Sequence, residues 1–401
     1  MLNDLVLVLN FGSSSLKFAI LNPDTERKYV FGLVERLYLS YSFVTWYYQR
    51  FKYHTIIGNN ISHIQSLEFI INHIFYINKK IVCNIQFIGH RVVHGGKKIT
   101  ESKIINSCII QEIENNIIYA PLHNPINLLG IKSAIKYFPH LSKKNVAVFD
   151  TSFFRDMPET SYLYALPYSF YIKYGVRRYG AHGMSHYYVS KIASEILKIQ
   201  FDTFNVITCH LGNGSSVSVI VNGICVDTSM GFTPMEGLVM GTRSGDLDPA
   251  IIFFMHMVLG MTIDEIQHIL IKKSGILGLS GGVTSDFRYI EKNYYREIAS
   301  KRSVDIFCHR LSKYIASYTT LLDGRLDAII FTGGIGENSI LVRQLTMIKL
   351  FMIGIRLDMQ LNQCLQPGQY GFINKKDTTP VLVIPTNEEL IIAQETVKCF
   401  R

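Results

Sequence analysis

The sequence predicts an α/β fold built twice over in one chain. Three observations carry it. The segments from Val6 to Ile20 and from Val206 to Ile220 share one pattern, an apolar β-type run, a Gly/Ser turn and a second β-type run. Apolar β-type runs alternate with stretches of helical periodicity in both halves of the chain. At 401 residues the chain is too long for one hydrophobic core and fits two domains.

In chain order, residues 4 to 10 and 16 to 21 read as strands around Gly12-Ser13-Ser14-Ser15. Glycine allows close backbone approach, and serine adds a short donor, so this turn can aim N–H and O–H groups at a phosphate. Helical periodicity covers 64 to 77 and 124 to 137, and strands are expected at 85 to 93 and 145 to 149. Beyond Asp150 a loop-rich segment with Pro158 and Pro167 leads to Arg177 and to a helix starting near Ser185. This stretch is read as the connection between the halves. The second half repeats the scheme, with strands at 205 to 209 and 216 to 221 around Gly212-Asn213-Gly214-Ser215, a helix at 303 to 322 and a strand at 327 to 332. Glu388 to Phe400 reads as a helix that can pack on either half. Two phosphate-sized turns in one chain suggest a cleft that grips a polyphosphate.

Composition excludes several classes. Hydrophobic residues make up 48% and charged residues 18%, which describes a folded chain rather than a disordered one. The longest apolar stretch, from Ile251 to Met261, is interrupted by His256 and falls short of the roughly 20 residues that span a bilayer, so no membrane is expected. Met1-Leu-Asn-Asp4 carries no basic run, so no secretion leader is expected and the location is read as cytoplasmic. The seven cysteines stand singly, without a C-x-x-C pair, and are expected to be buried reduced thiols. The net charge of +9 is spread over short lysine pairs such as Lys79-Lys80 and Lys143-Lys144. No dense basic block marks a nucleic-acid surface, and no nucleic-acid partner is expected.

Neither G-x-x-x-x-G-K-[ST] nor G-x-G-x-x-G occurs, so phosphate must be held in another way. Gly333-Gly334-Ile335-Gly336-Glu337-Asn338 follows a strand and precedes a helix, and is read as a turn that admits a base or ribose against bare backbone. Arg91 and Arg243 each stand among glycines, where a planar guanidinium can grip a carboxylate or phosphoryl group bidentately. His90 and His94 have the spacing of a metal pair, but their β-branched and glycine surroundings read as strand, which argues against zinc. Asp150 closes an apolar strand, the usual place for an active-site carboxylate in α/β proteins, as a metal-sphere ligand or base. His123, His182 and Glu388 each read singly as structural, and gain weight from occurring together.

The ordered motifs resemble the acetate kinase family, within the acetate/propionate kinase branch of the actin-like ATPase superfamily. They are N-x-G-S-S-S-L-K from Asn10, G-H-R-V-V-H-G-G from Gly89, P-L-H-N-P from Pro121, F-D-T from Phe149 and R-R-Y-G-x-H-G from Arg177. H-L-G-N-G from His210, M-G-T-R-S-G-D-x-D-P from Met240, S-D-F-R from Ser285, G-G-I-G-E-N from Gly333 and P-T-N-E-E-L from Pro385 complete the set. The resemblance implies two RNase H-like domains, a duplicated actin-like ATPase fold with a central nucleotide cleft, divided as residues 1–151 with 389–401 and residues 152–388. It implies reversible, Mg²⁺-dependent, direct in-line transfer from ATP to acetate, giving acetyl phosphate and ADP, with Mn²⁺ able to substitute and a homodimer as the assembly.

Carried over position by position, Asn10 and Glu388 would place the metal, with Asp150 beside it. Ser13, Ser15, Lys17 and the turn His210, Leu211, Gly212, Asn213 and Gly214 would face the phosphates. Asp286, Phe287 and Arg288, with Gly334, Ile335, Gly336, Glu337 and Asn338, would hold the adenosine. Arg91 would bind the carboxylate, and Val93, Leu122, Ala181 and Pro234 would line the acyl pocket. Arg243, His182 and His123 would stabilise the transferring group. Ala181 stands where many members carry Phe, Met184 where Thr is usual, and Phe154-Arg155 where His-Gln is usual. Propionate is the alternative acceptor, and a non-catalytic ATP-binding scaffold is the alternative from another class. A scaffold has no need of two arginines and two histidines around a small acceptor.

Overall fold

The computed structural model describes residues 4–401; residues 1–3, part of the stretch read as lacking a leader, lie outside the described residues. The chain divides into two compact units, Met1–Ser152 with Asn387–Arg401, and Phe153–Thr386.

Among the described residues, the first unit holds an eight-stranded sheet in the order β5-β4-β3-β2-β1-β6-β8-β7. Its strands are β1 (Leu5–Phe11), β2 (Leu16–Leu21), β3 (Lys28–Glu35), β4 (Ser42–Tyr48), β5 (Phe51–Gly58), β6 (Ile85–Val92), β7 (Lys103–Ile104) and β8 (Asn145–Phe149). The run Leu-Val-Leu-Val-Leu-Asn-Phe of β1 is buried along its whole length, as a strand covered on both faces requires. β1 and β2 form an antiparallel hairpin closed by Gly12 N–H donating to the Ser15 carbonyl at 2.9 Å. β6 runs parallel to both β1 and β8. The helical stretch at 64 to 77 is an α-helix, His63–Phe69, continuing through a π-helical turn, Ile70–Phe75, and the helix Asn124–Tyr137 follows the expected bounds. The C-terminal helix Glu388–Lys398 packs against β1, β6 and β8 of this unit. Gly89 on β6 permits that approach, since a Cβ there would lie 2.7 Å from Ile392 Cγ2.

The second unit holds six strands in the order β11-β10-β9-β12-β14-β13: β9 (Val206–Leu211), β10 (Ser215–Val221), β11 (Ile224–Thr228), β12 (Ala328–Thr332), β13 (Gly371–Phe372) and β14 (Val381–Val383). β9 and β10 repeat the hairpin of β1 and β2, and β12 lies parallel to β9 and β14 as β6 does to β1 and β8. The order β3-β2-β1-β6-β8 therefore recurs as β11-β10-β9-β12-β14, with the same strand senses. That is the duplicated RNase H-like arrangement. The core of this unit lies between the sheet and the helix Ile298–Tyr318, whose buried side recurs at Val304, Phe307, Leu311 and Ile315.

Three sequence expectations change. The glycine-rich segment after β12 is itself a short helix, Gly333–Asn338, rather than an open turn. The proline-containing segment after Asp150 belongs to the second unit from Phe153 onward and carries short helices at Glu159–Tyr162 and Ser169–Tyr174. Cys209, Cys225 and Cys308 are buried, but Cys83, Cys108 and Cys364 are exposed because they lie on short surface helices or at their ends.

Candidate active site

In the first unit, parallel pairing brings three strand ends together. Arg91 on β6 lies beside β8, whose end leads into Asp150, and beside β1, which carries Asn10. Arg91 Nη2 and Nε both donate to Asp150 Oδ2, at 2.7 and 3.1 Å, and Arg91 Nη1 lies 3.4 Å from Asn10 Oδ1. Asn10 Nδ2 in turn donates to Glu388 Oε2 at 3.3 Å. Asn10, Asp150 and Glu388 are all buried. Burial alone would lower the Arg91 guanidinium, but the carboxylates of Asp150, Glu388 and Glu389 outweigh it and hold the group above its ordinary value. Arg91 is thus a fixed cation whose partners are themselves anchored.

Val93 is buried one residue beyond β6, with its N–H on Asn127 Oδ1 at 3.1 Å. Leu122 and His123 are half-buried at the head of the helix Asn124–Tyr137. Ser13 and Lys17 are exposed on the first turn and hairpin, and Ser15 is half-buried. Lys17 Nζ lies 3.9 Å from Glu389 Oε1, and Lys28 Nζ lies 3.4 Å from Glu389 Oε2. His90 and His94 are buried structural rings. Burial pushes His90 down to about 4 and His94 to about 3, so both are neutral near pH 7.

In the second unit, the turn between β9 and β10 closes with Gly212 N–H on the Gly214 carbonyl at 3.0 Å. Gly214 is the meeting point. A Cβ built on it would lie 3.4 Å from His182 Nε2 and 3.6 Å from Arg243 Nη1. His182 takes a left-handed backbone, φ 60°, at the start of the helix Gly183–Leu197, an uncommon conformation for a residue with a side chain and one found at functional sites. Its ring stacks on His210 with centroids 4.3 Å apart. Arg243 Nη1 donates to the Pro234 carbonyl at 2.7 Å, and burial lowers its guanidinium from the ordinary value. Gly241 N–H donates to the Asn213 carbonyl at 2.9 Å, which ties the arginine segment to the phosphate turn. Ala181 is buried against Met230 and Met240.

The remaining nucleotide candidates divide. Asp286 and Arg288 are exposed and paired, Nη2 to Oδ2 at 2.7 Å, and this bond holds Asp286 below the usual carboxylate range. Phe287 between them turns into the core against Phe307. In the glycine-rich helix, Gly334 and Asn338 are exposed and Ile335 half-buried, whereas Gly336 is buried. Glu337 Oε1 is occupied by the N–H groups of Gly333, at 2.9 Å, and Thr386, at 3.2 Å.

Sequence reasoning overlooked the groups that hold these side chains in place. Arg178 bonds Glu236 at 2.7 Å and the Thr228 carbonyl at 2.9 Å, Tyr164 bonds Glu236, and Asp246 takes Arg310 and Tyr314. Both carboxylates lie in the 229–249 segment that carries Pro234 and Arg243. Arg178 falls within a quoted motif, but nothing local reveals a partner 58 residues away. Of the unusual positions, Phe154 is a core residue under Gly180, Met184 is buried, and Arg155 is exposed beside Asp156.

Residues 5–394 match the Acetokinase family. The acetate kinase of Buchnera aphidicola subsp. Schizaphis graminum is 59% identical over 400 residues, covering 100% of this chain and 99% of that protein. The acetate kinase of Salmonella typhimurium is 54% identical over 395 residues, covering 98% of each. Among solved structures, a propionate kinase from Francisella tularensis aligns with a TM-score of 0.91 at 42% identity, over 98% of this chain and 99% of that one. The Porphyromonas gingivalis acetate kinase aligns with a TM-score of 0.88 at 39% identity, over 99% and 100%.

Proposed function

The chain belongs to the acetokinase family, and on that footing we propose that it transfers the γ-phosphoryl group of ATP directly and reversibly to acetate, giving acetyl phosphate and ADP. The observation that carries this reading is the convergence of Arg243 and His182 on Gly214 of a phosphate-sized turn. Phosphoryl transfer spreads charge over three equatorial oxygens, and catalysis is mainly positioning and electrostatic stabilisation. A buried guanidinium and an imidazole aimed at one point of the turn answer that need, and His210, Leu211, Gly212 and Asn213 frame it. His123 is a further candidate for stabilising the transferring group.

The acceptor needs no strong base, because acetate is already ionised at neutral pH. Arg91 binds the carboxylate. Asp150, held on two guanidinium nitrogens, orients Arg91 rather than abstracting a proton. Val93, Leu122, Ala181 and Pro234 take the methyl end. Adenosine is assigned to Asp286, Arg288, Gly334, Ile335 and Asn338 by side chain or open surface, and to Phe287, Gly336 and Glu337 by backbone. Ser13, Ser15 and Lys17 supply donors to the phosphates.

Mg²⁺ suits the donor set, which is all oxygen at Asn10, Asp150 and Glu388, and the buried Asn387 Oδ1 beside Glu388 has no hydrogen-bond partner. When bound, the ion would neutralise phosphate charge; Asn10 and Glu388 would hold it, and Mn²⁺, with similar oxygen preference, would substitute. A homodimer is supported by the helix Ala250–Met257 and the residues after it, where Phe253, Phe254, Met257, Val258 and Leu259 are all at least 53% exposed. A cytoplasmic location agrees with the free cysteines.

Trapping the product with hydroxylamine, with acetate, propionate and butyrate in parallel, tests the reading. Acetate is expected to give the highest kcat/KM. A preference for propionate would keep the mechanism and move the acceptor, and ATP binding without product would favour a scaffold.

A further inference from the structure

The Gly/Ser turn of the first unit is held through its carbonyl groups. The Phe11 carbonyl accepts from Asn127 Nδ2 at 3.0 Å, the Ser14 carbonyl from Leu37 N–H at 3.1 Å, and the Ser15 carbonyl from Gly12 N–H at 2.9 Å. The Gly12 carbonyl lies 2.8 Å from His63 Nε2. His63 opens the helix His63–Phe69 directly after its capping residue Ser62 and is fully buried. Its ring stacks on Phe11 with centroids 5.6 Å apart. A side chain 51 residues along the chain thereby reaches the backbone of the turn.

A carbonyl oxygen only accepts, so His63 Nε2 carries the hydrogen and donates to Gly12. Burial lowers the ring from the ordinary imidazole value, more than the backbone of Gly12 and Ser15 raises it. In the neutral ring Nδ1 is then the acceptor, and the Tyr38 hydroxyl donates to it at 2.9 Å. Tyr38 is itself anchored, with a left-handed backbone, φ 62°, and its N–H on the Ile61 carbonyl at 3.0 Å. The peptide bonds of the described residues are trans, and a trans peptide points its N–H opposite to the preceding carbonyl. Holding the Gly12 carbonyl on the buried ring therefore turns the Ser13 N–H away from it. Holding the Ser14 carbonyl on Leu37 does the same for the Ser15 N–H. Ser13 is exposed and Ser15 half-buried, so both amides belong to the accessible side of the turn.

We propose that His63, backed by Tyr38, is a positioning residue that aims the Ser13 amide N–H at a phosphate of the nucleotide. The proposal rests on reading this turn as a phosphate site. Backbone amides gathered in a turn make a concavity that suits an anion. A serine hydroxyl rotates to suit its surroundings, whereas an amide held through the neighbouring carbonyl is fixed before the anion arrives. A donor set in advance costs no reorganisation when charge is bound. His63 acts through that carbonyl and not by contact with phosphate, since both of its ring nitrogens are engaged.

The test is isothermal titration of the full chain with Mg-ATP, together with steady-state kinetics, for the unaltered chain, His63→Leu and His63→Gln. Leucine fills the space without a donor, while the Gln amide can donate from the place of Nε2. His63→Leu is expected to weaken ATP binding and raise KM for ATP about tenfold, with KM for acetate within about twofold, because the Gly12 carbonyl loses its buried partner. His63→Gln is expected to stay within about threefold of the parental values. A merely structural role would lower the folded fraction, and with it kcat, and leave KM for ATP unchanged. That pattern, parental ATP affinity in His63→Leu, or equal weakening in both variants would overturn the proposal. If His63→Leu does not fold, Tyr38→Phe decides: loss of the donor to Nδ1 is expected to weaken ATP binding about threefold, and parental affinity would overturn the proposal. An unaltered chain that binds no ATP would also overturn it. ATP binding with the expected variant pattern but no acyl phosphate would instead defeat only the functional reading.

Discussion

Replacing Gly214 with Ala separates function from stability. The residue is absent from the glycines with positive φ, so an alanine fits the backbone without strain. The nearest atoms to the new methyl would be His182 Cε1 and Nε2, both at 3.4 Å, and Arg243 Nη1 at 3.6 Å, which are ordinary van der Waals separations. No cavity, clash or lost hydrogen bond accompanies the change, and the lower entropy of the unfolded chain favours it by about 0.4–1 kcal/mol. Thermal unfolding should therefore occur at or slightly above the parental temperature. The same methyl occupies the space between two donors, where an accepting oxygen would have to sit about 2.7–3.1 Å from each. Losing one preorganised donor costs roughly 10²–10³ in rate, so kcat for acetyl phosphate formation should fall on the order of 10²-fold or more. Differential scanning calorimetry and the hydroxylamine assay read the two effects on one preparation. A variant with parental kcat and KM would refute the placement of the phosphoryl group at Gly214.

Arg91→Ala and Arg243→Ala should each lower kcat on the order of 10²-fold, and steady-state kinetics showing near-parental turnover in both would defeat the assigned roles. Gly89→Ala should destabilise the first unit by about 1–3 kcal/mol, because the added carbon meets Ile392 at 2.7 Å; an unchanged melting temperature would mean that the C-terminal helix yields freely. Neutral, buried His90 makes the unfolded state bind more protons below pH 6.5. Stability from this group should be full above pH 6.5 and lost as pH falls toward about 4, by about 3 kcal/mol in all, and His90→Gln should flatten that slope in urea titrations. Chelation of divalent metal should abolish turnover reversibly, and full activity in excess chelator would remove the metal from the account.

The duplicated hairpins were legible because a strand–Gly/Ser–strand pattern is local, and β1, β2, β9 and β10 are buried almost without interruption, as their apolar runs require. The strands β3, β4 and β5 were not. β5 is exposed over most of its length and β4 is buried only at alternate positions, so neither offers a continuous apolar run. The glycine-rich helix was misread because glycine argues against helix, yet Arg343 donates to the Gly336 and Glu337 carbonyls at 2.9 Å and fixes that turn from a distance. Cysteine burial failed for a similar reason, since composition carries no information about which helix end faces water.

For the site, residue types among glycines pointed to Arg91 and Arg243, and their anchors were invisible. The Arg91–Asp150 pair spans 59 residues and Asn10–Glu388 spans 378, and only parallel strand pairing and the returning C-terminal helix join them. Ser216 follows the turn read as phosphate-binding, at the start of β10, and its hydroxyl lies within hydrogen-bond distance of two histidines that sequence spacing cannot place.

The most direct measurement is ³¹P NMR of the purified chain with Mg-ATP and acetate. Equimolar acetyl phosphate and ADP are predicted, with no turnover when acetate is omitted and with ATP regained from acetyl phosphate and ADP. Release of inorganic phosphate without acetate, or an unchanged ATP spectrum from folded protein, would contradict transfer to a carboxylate.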